Sequence, residues 1–372
     1  MGISRWVRPV RVAACRLGLL DRTRGAARAV EHVLDGTGRT LVETSGVPGL
    51  AVLVRFGDGR EVRRTWGRAG ERRPMRTDTV VQALSLSKSV TAACALGLVQ
   101  RGVLALDEPI FRRIRSWRLP PNRATPEQVE AITLRRLLSH TSGLNVLGYA
   151  QRPFGEEVRP ASLLAREDED ERTIRVVRPA GTFGYSGGGF VVAQLAIEDA
   201  TGRPYADVAR ETVLEPLGLS SSTYGDDVLA ARVATAHDRD GRPVPLAPFA
   251  ATAASGLWSD AEDLATFWSA LVPGAAGEPA GRGVVSPASC AEMLRPHVLD
   301  REGAWGLGLR LKTKRGDLRY VHAGYDVGWH HYAEGLLRRR VVMVLVSNGD
   351  RGEDVVPALS RALRLTLYDR AL

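Results

Sequence analysis

Residues 85–99 read SLSKSVTAACALGLV. From Val90 onward this stretch is apolar on nearly every side, the pattern of a helix buried at the centre of a domain. Such a helix must be packed all round, so the chain on either side of it has to supply more than one layer. Ser85 and Lys88 stand three residues apart at its start, which puts them on one face of the first helical turn.

Lys88 is one of only three lysines, with Lys312 and Lys314, against 48 arginines. Arginine serves as a surface cation but does not deprotonate in a protein, whereas a desolvated lysine becomes neutral. A lysine retained one turn from a serine therefore points to a base beside a nucleophile. The unpaired N–H groups and partial positive charge of a helix N-terminus favour an oxyanion forming next to Ser85.

The 372 residues suffice for one large core, and the composition is that of a globular chain. No apolar run reaches membrane-spanning length, Arg16 interrupts the short stretch Val12 to Leu20, and Trp6 rules out the N-terminal lipidation motif. Residues 1–22 read as a flexible basic leader ahead of a single domain, 23–372. Cys15, Cys94 and Cys290 are odd in number and far apart, without disulfide density or metal-ligand pairing. They read as free thiols of a cytoplasmic protein. The net charge of +9 comes from scattered arginines without aromatic interleaving, which argues against nucleic acid. It is read as a mild attraction for anionic substrates.

Arg24 to Leu34 has helical character, and Gly49 to Arg55 and Arg60 to Trp66 flank Gly57-Asp58-Gly59 as a hairpin. Residues 85–299 read as a largely helical lobe with long loops, among them Pro120 to Pro126 and the acidic run Arg166 to Arg172. Strands return at Trp305 to Lys312, Leu318 to His322, Gly328 to Gly335 and Arg340 to Ser347, with Arg338-Arg339-Arg340 at a hairpin tip and a last helix at Val355 to Leu367. The expected fold is α/β of the α+β type. An antiparallel sheet is built from both chain ends (about 23–84 and 300–372) and flanked by helices, with the helical lobe inserted and the active site between the two.

These segments, in this order, resemble the serine β-lactamase and penicillin-binding-protein-like hydrolases, in particular the class C β-lactamase-like branch with its esterases, peptidases and acyltransferases. Ser85-Leu86-Ser87-Lys88 is followed by ITLRRLLSHTSGL (Ile132 to Leu144), PAGTFGYSGGGF (Pro179 to Phe190), VLEPLGLSSSTY (Val213 to Tyr224), ASGLWSDAEDLATF (Ala254 to Phe267) and His322-Ala323-Gly324. The resemblance covers about residues 40 to 350. It implies Ser85 as nucleophile, Lys88 as general base and Tyr185 as a second proton-relay group. His322-Ala323-Gly324 stands where relatives carry Lys-Thr-Gly, and the backbone N–H groups of Ser85 and Tyr325 would form the oxyanion hole. Lys312-Thr313 imitates that triplet but, followed by Lys314, reads as the charged end of a hairpin. His322, Gly324, Tyr325 and Gly187 are the expected substrate and oxyanion positions. No cofactor or metal is implied.

Two departures bear on substrate. Relatives acting on β-lactams or peptides have Tyr-x-Asn where this chain has Tyr185-Ser186-Gly187, and His322 replaces a fixed cation. Both argue against β-lactam and D-peptidase chemistry and leave acyl-enzyme chemistry intact. The expected reaction is esterase-like hydrolysis of a small acyl substrate, or transfer of the acyl group to an amine or alcohol acceptor. Two other readings compete. Gly184-Tyr185-Ser186-Gly187-Gly188 satisfies the nucleophile-elbow pattern with Ser186 as nucleophile, but the preceding chain lacks strand-helix alternation. A catalytically silent binding protein would have little use for a preserved serine, lysine and tyrosine. His330-His331, adjacent on a strand, point to opposite faces and are not a metal pair. His140 and His237 read as hydrogen-bonded structural residues, and the glycines 187–189 as close packing at the edge of the site.

Overall fold

The computed structural model describes residues 23–167, 172–226, 232–274 and 278–369. The basic leader, Cys15 and part of the acidic run lie outside them.

Helix α1 spans residues 23–45, with a π-helical middle at Leu34–Gly38. It leads into β1 (Gly49–Phe56), β2 (Glu61–Gly70) and the short β3 (Arg73–Pro74). The hairpin forms where expected: Gly59 takes φ +87° and Asp58 Oδ1 accepts the Arg60 N–H at 3.0 Å. The buried helix is α2 (Ser87–Gln100), with every residue from Ser87 to Leu98 buried. The middle of the chain adds α3 (Gly187–Thr201) and α4 (Ala261–Ala270) among shorter helices. The last quarter forms β4 (Val298–Asp300), β5 (Gly303–Trp305), β6 (Arg310–Lys314), β7 (Asp317–Asp326), β8 (Trp329–Leu336), β9 (Val341–Ser347) and α5 (Gly352–Asp369).

These strands make one nine-stranded sheet in the order β3-β2-β1-β9-β8-β7-β6-β5-β4, with antiparallel pairing throughout. The two chain ends meet at β1 and β9, paired from Leu50↔Ser347 to Phe56↔Val341. Strand alternation sends Leu50, Val52, Val54 and Phe56 to one face, against α1 and α5, and Ala51 and Leu53 to the other, against the main core that holds α2, α3 and α4. Val355, Leu359, Leu363 and Leu367 recur at helical spacing and fasten α5 to the sheet. The mixed α/β architecture with a sheet assembled from both termini is as expected.

Three details differ from the sequence expectation. Ser85 precedes the α-helix, in a 3₁₀ turn at Leu84–Leu86, and Leu84 takes φ +53°. The expected strand Trp305 to Lys312 is two strands, because Gly308 (φ +72°) turns against α2: a Cβ there would stand 2.6 Å from Lys88 O, and Gly308 O accepts from Ser89 Oγ at 2.7 Å. The sheet also takes in β4, at the boundary assigned to the helical lobe, through the register Val298↔Trp305.

Candidate active site

The turn at 84–86 meets the edge of β7. Pairing of β6 with β7 reaches only as far as Arg310↔Val321, so residues 322–326 present a free edge. Gly324 lies on that edge facing the turn: a Cβ would meet Ala83 O at 2.7 Å, Leu84 Cβ at 3.1 Å and Ser85 N at 3.4 Å. Glycine is thus what lets the strand approach the serine backbone. Alternation turns His322 the same way as Gly324, and Ala323 and Tyr325 to the opposite face. A cleft of about 690 Å³ wraps this edge, with Ser85, Lys88, Tyr185, His322 and Tyr325 in its lining.

Ser85 Oγ stands 3.1 Å from Lys88 Nζ and accepts a hydrogen bond from Tyr185 OH at 3.0 Å. Lys88 is 1% exposed, and its Nζ also donates to Ala254 O at 2.8 Å. No carboxylate lies within ion-pair distance of it among the described residues. Burial, uncompensated, pulls the amine down to about 7. The same effect acts in the other direction on Tyr185: burial raises its phenol, which stays protonated at neutral pH. The site therefore holds a serine between an amine that is easily neutral and a phenol that keeps its proton.

A ring cluster fixes the phenol. His140 stacks on Tyr185 with centroids 4.2 Å apart, and Trp305 packs edge-on to His140 at 5.0 Å and tilted against Tyr185 at 5.6 Å. His140 Nδ1 accepts the Ser186 N–H at 3.1 Å, so it is hydrogen-bonded and structural, as expected. His322 donates from Nδ1 to Ala323 O at 2.9 Å, and burial together with the Lys88 charge pushes it down to about 3. It lines the cleft as a neutral ring and supplies no cation.

Ser186 is a helix cap. It is buried, donates from Oγ to Asn145 O and accepts the Gly189 N–H at 2.9 Å, which starts α3. The elbow reading fails on that geometry. Gly187, expected at the substrate or oxyanion position, is not part of the cleft lining, and its N–H is already held by Leu147 O at 3.1 Å. His331 is buried with its ring on Gln82 O at 2.8 Å, while His330 is half-buried on the other face. Cys94 and Cys290 are free and buried. No helix of the described residues is long and apolar enough to cross a membrane.

Sequence reasoning missed several lining residues. Leu147, Tyr149 and Phe249 form an apolar wall. Lys312 is not merely a hairpin end: with Arg310 it lines the far end of the cleft, where Arg310 packs on Trp305 at 5.0 Å and pairs with Asp300 at 2.7 Å, and Lys312 Nζ lies 3.4 Å from Glu302. The rarity of lysine and the i, i+2 alternation around buried Leu311 were the available signal.

A serine, an amine and a phenol at the junction of a buried helix and an antiparallel sheet form the arrangement of β-lactamase-type serine hydrolases. The chain belongs to the Beta-lactamase family, whose profile matches residues 34–368. It is 30% identical over 321 residues to penicillin-binding protein 4 of Amycolatopsis lactamdurans, covering 82% of this chain and 81% of that one. It is 31% identical over 245 residues to esterase EstB of Burkholderia gladioli, covering 61% and 60%. Its match to the carboxypeptidase/endopeptidase AmpH of Escherichia coli, at 28% identity, takes in 53% of this chain and spans about half (48%) of that relative's length. The class C β-lactamase structure from Rhodobacter sphaeroides superposes with a TM-score of 0.71 at 20% identity, over 91% of this chain and 99% of that one.

Proposed function

We propose that this protein is an esterase-like serine hydrolase that captures the acyl group of a carboxyl ester, or a related activated acyl compound, on Ser85. The observation that carries this reading is the placing of Ser85 Oγ 3.1 Å from a buried, carboxylate-free Lys88 amine and 3.0 Å from the Tyr185 hydroxyl. The neutral amine takes the serine proton as Oγ attacks the carbonyl carbon. The carbonyl oxygen gains the negative charge, and the backbone N–H groups of Ser85 and Tyr325, on either side of Gly324, are the donors proposed to receive it. The tetrahedral adduct expels the alcohol as Tyr185 and Lys88 relay the proton to its oxygen, leaving an ester on Ser85. Water, deprotonated by the same groups, then releases the acid and restores the serine.

Acyl transfer to an amine or alcohol is the second reading, and the polar end of the cleft favours it. Arg310, Lys312 and Glu302 line the same cleft as the apolar wall and suit an acceptor bearing polar groups. Among the relatives is the monacolin J acid methylbutanoyltransferase of Aspergillus terreus, 28% identical over 246 residues, covering 58% of this chain and 59% of that one. Neither reading needs the Tyr-x-Asn amide or the fixed cation that this chain lacks.

The test is intact-protein mass spectrometry with a fluorophosphonate probe and p-nitrophenyl esters. The expected result is one adduct, lost in Ser85→Ala and retained in Ser186→Ala. An adduct that survives Ser85→Ala overturns the assignment. Loss of the acyl adduct that accelerates on adding amines or alcohols selects transfer over hydrolysis.

A further inference from the structure

Two residues after Tyr185, the chain offers no side chain to the cleft, and the loop 145–148 lies on the backbone there. Gly187 and Gly188 donate their N–H groups to Leu147 O at 3.1 Å and Val146 O at 3.0 Å. A Cβ at Gly187 would stand 2.5 Å from Leu147 O, and one at Gly188 would meet Val146 Cβ at 3.0 Å. No larger residue can occupy position 187 while the loop keeps its course.

The loop is tied down to hold that course. Asn145 donates from Nδ2 to Thr173 O at 2.9 Å, accepts the Arg175 N–H at 2.8 Å, and takes the Ser186 hydroxyl on its carbonyl. Val146 adopts φ +63°, a conformation a β-branched residue takes only where its surroundings impose it. The result is to project Leu147, 71% exposed, into the mouth of the cleft that contains Ser85. Tyr149 and Phe249 continue the wall. The same two residues also line an adjoining hollow of about 380 Å³, together with Val244 and Val327 and the polar Gln151, Arg172 and Asp326. A hydrocarbon chain leaving the scissile carbonyl along Leu147 and Phe249 meets carbon surface, whereas an amide substituent there would lose hydration and find no side chain at position 187 to pair with.

Resting on the acyl-enzyme reading above, we infer that Leu147 is the specificity-determining residue of the acyl subsite and selects an apolar acyl chain over an acylamino-substituted one. An exposed leucine beside an open hollow is surface that a bound chain covers, and apolar contacts of this size discriminate between substrates by about tenfold or more.

The test compares three p-nitrophenyl esters: acetate, pentanoate and N-acetylglycinate, the last two of equal chain length. Each kcat/KM is normalised to the ester's rate of alkaline hydrolysis. The wild-type enzyme is expected to prefer pentanoate to N-acetylglycinate by at least tenfold, and Leu147→Ser to reduce that ratio about tenfold. Equal use of pentanoate and N-acetylglycinate by the wild type, with acetate turned over, overturns this inference alone. So does a Leu147→Ser variant that lowers all three esters in proportion. No turnover of any of the three, acetate included, overturns the acyl-enzyme reading and this inference with it.

Discussion

Lys88 has a carbonyl, a hydroxyl and two aromatic faces for neighbours and, among the described residues, no carboxylate to answer its charge. Its amine therefore changes state at about pH 7, and acylation of Ser85 should follow it. The rate constant for acylation by a p-nitrophenyl ester is expected to rise through pH 7 and level off above it. Lys88→Met should lower it by about 10²–10⁴-fold and flatten that limb. Stability moves with the same group. Between pH 7 and the unfolded value of 10.5 the unfolded chain holds the proton that the folded chain has released, so wild-type stability gains from this group as pH rises. Lys88→Met removes the burial penalty. Its stabilisation over wild type should be greatest below pH 7 and shrink toward pH 10.5, as read from urea melts across that range.

At the scale of elements, the site depends on how closely β7 approaches the turn ahead of α2. Gly324→Ala would place a methyl 2.7 Å from Ala83 O and push the strand edge away from Ser85 N. Displacements of about 1 Å cost on the order of 10²-fold in rate. The expected outcome is a loss of about that size in kcat/KM, with circular dichroism unchanged. An active Gly324→Ala enzyme would mean that the strand edge does not take part. The split between β5 and β6 belongs to the same scale. Its cause is a contact with Lys88 O and Ala92 Cβ, far from Gly308 in sequence, and so no local pattern announced it.

At the scale of the molecule, the sheet carries a buried charge network on the face beneath α5. Glu334 is fully buried, paired with Arg319 and with Arg364 at 2.7 Å, and accepts from Tyr332 OH at 2.8 Å. Arg364 comes from α5, so the network joins the C-terminal helix to the strands it covers. Glu334→Ala leaves two enclosed guanidinium groups without their partner and should cost about 3–5 kcal/mol in chemical denaturation. Fluorophosphonate labelling of Ser85 should persist below the melting transition, because Glu334 itself points to the α5 side of the sheet, away from the face that Ala333 turns to the main core. A variant that melts like wild type would show that solvent reaches those arginines.

Legibility followed the range of the forces involved. The buried helix, the hairpins, the terminal helix and the meeting of both chain ends in one sheet were readable, since each rests on the period of apolar residues or on turn chemistry within a few positions. Ser85 and Lys88 stood out as a pair for a similar reason, a lysine in a chain of arginines one turn from a serine, whereas Tyr185 was readable only through the resemblance of its segment to the family's. Other features were decided by the tertiary structure. The left-handed Leu84, the capping role of Ser186, the covering of Gly187 by Leu147 and the turning of Lys312 into the cleft each arise where two remote segments compete for one space. Sequence period determines which face of an element is buried. Close packing between elements determines which atoms can stand beside the serine, and that is settled only when the layers meet.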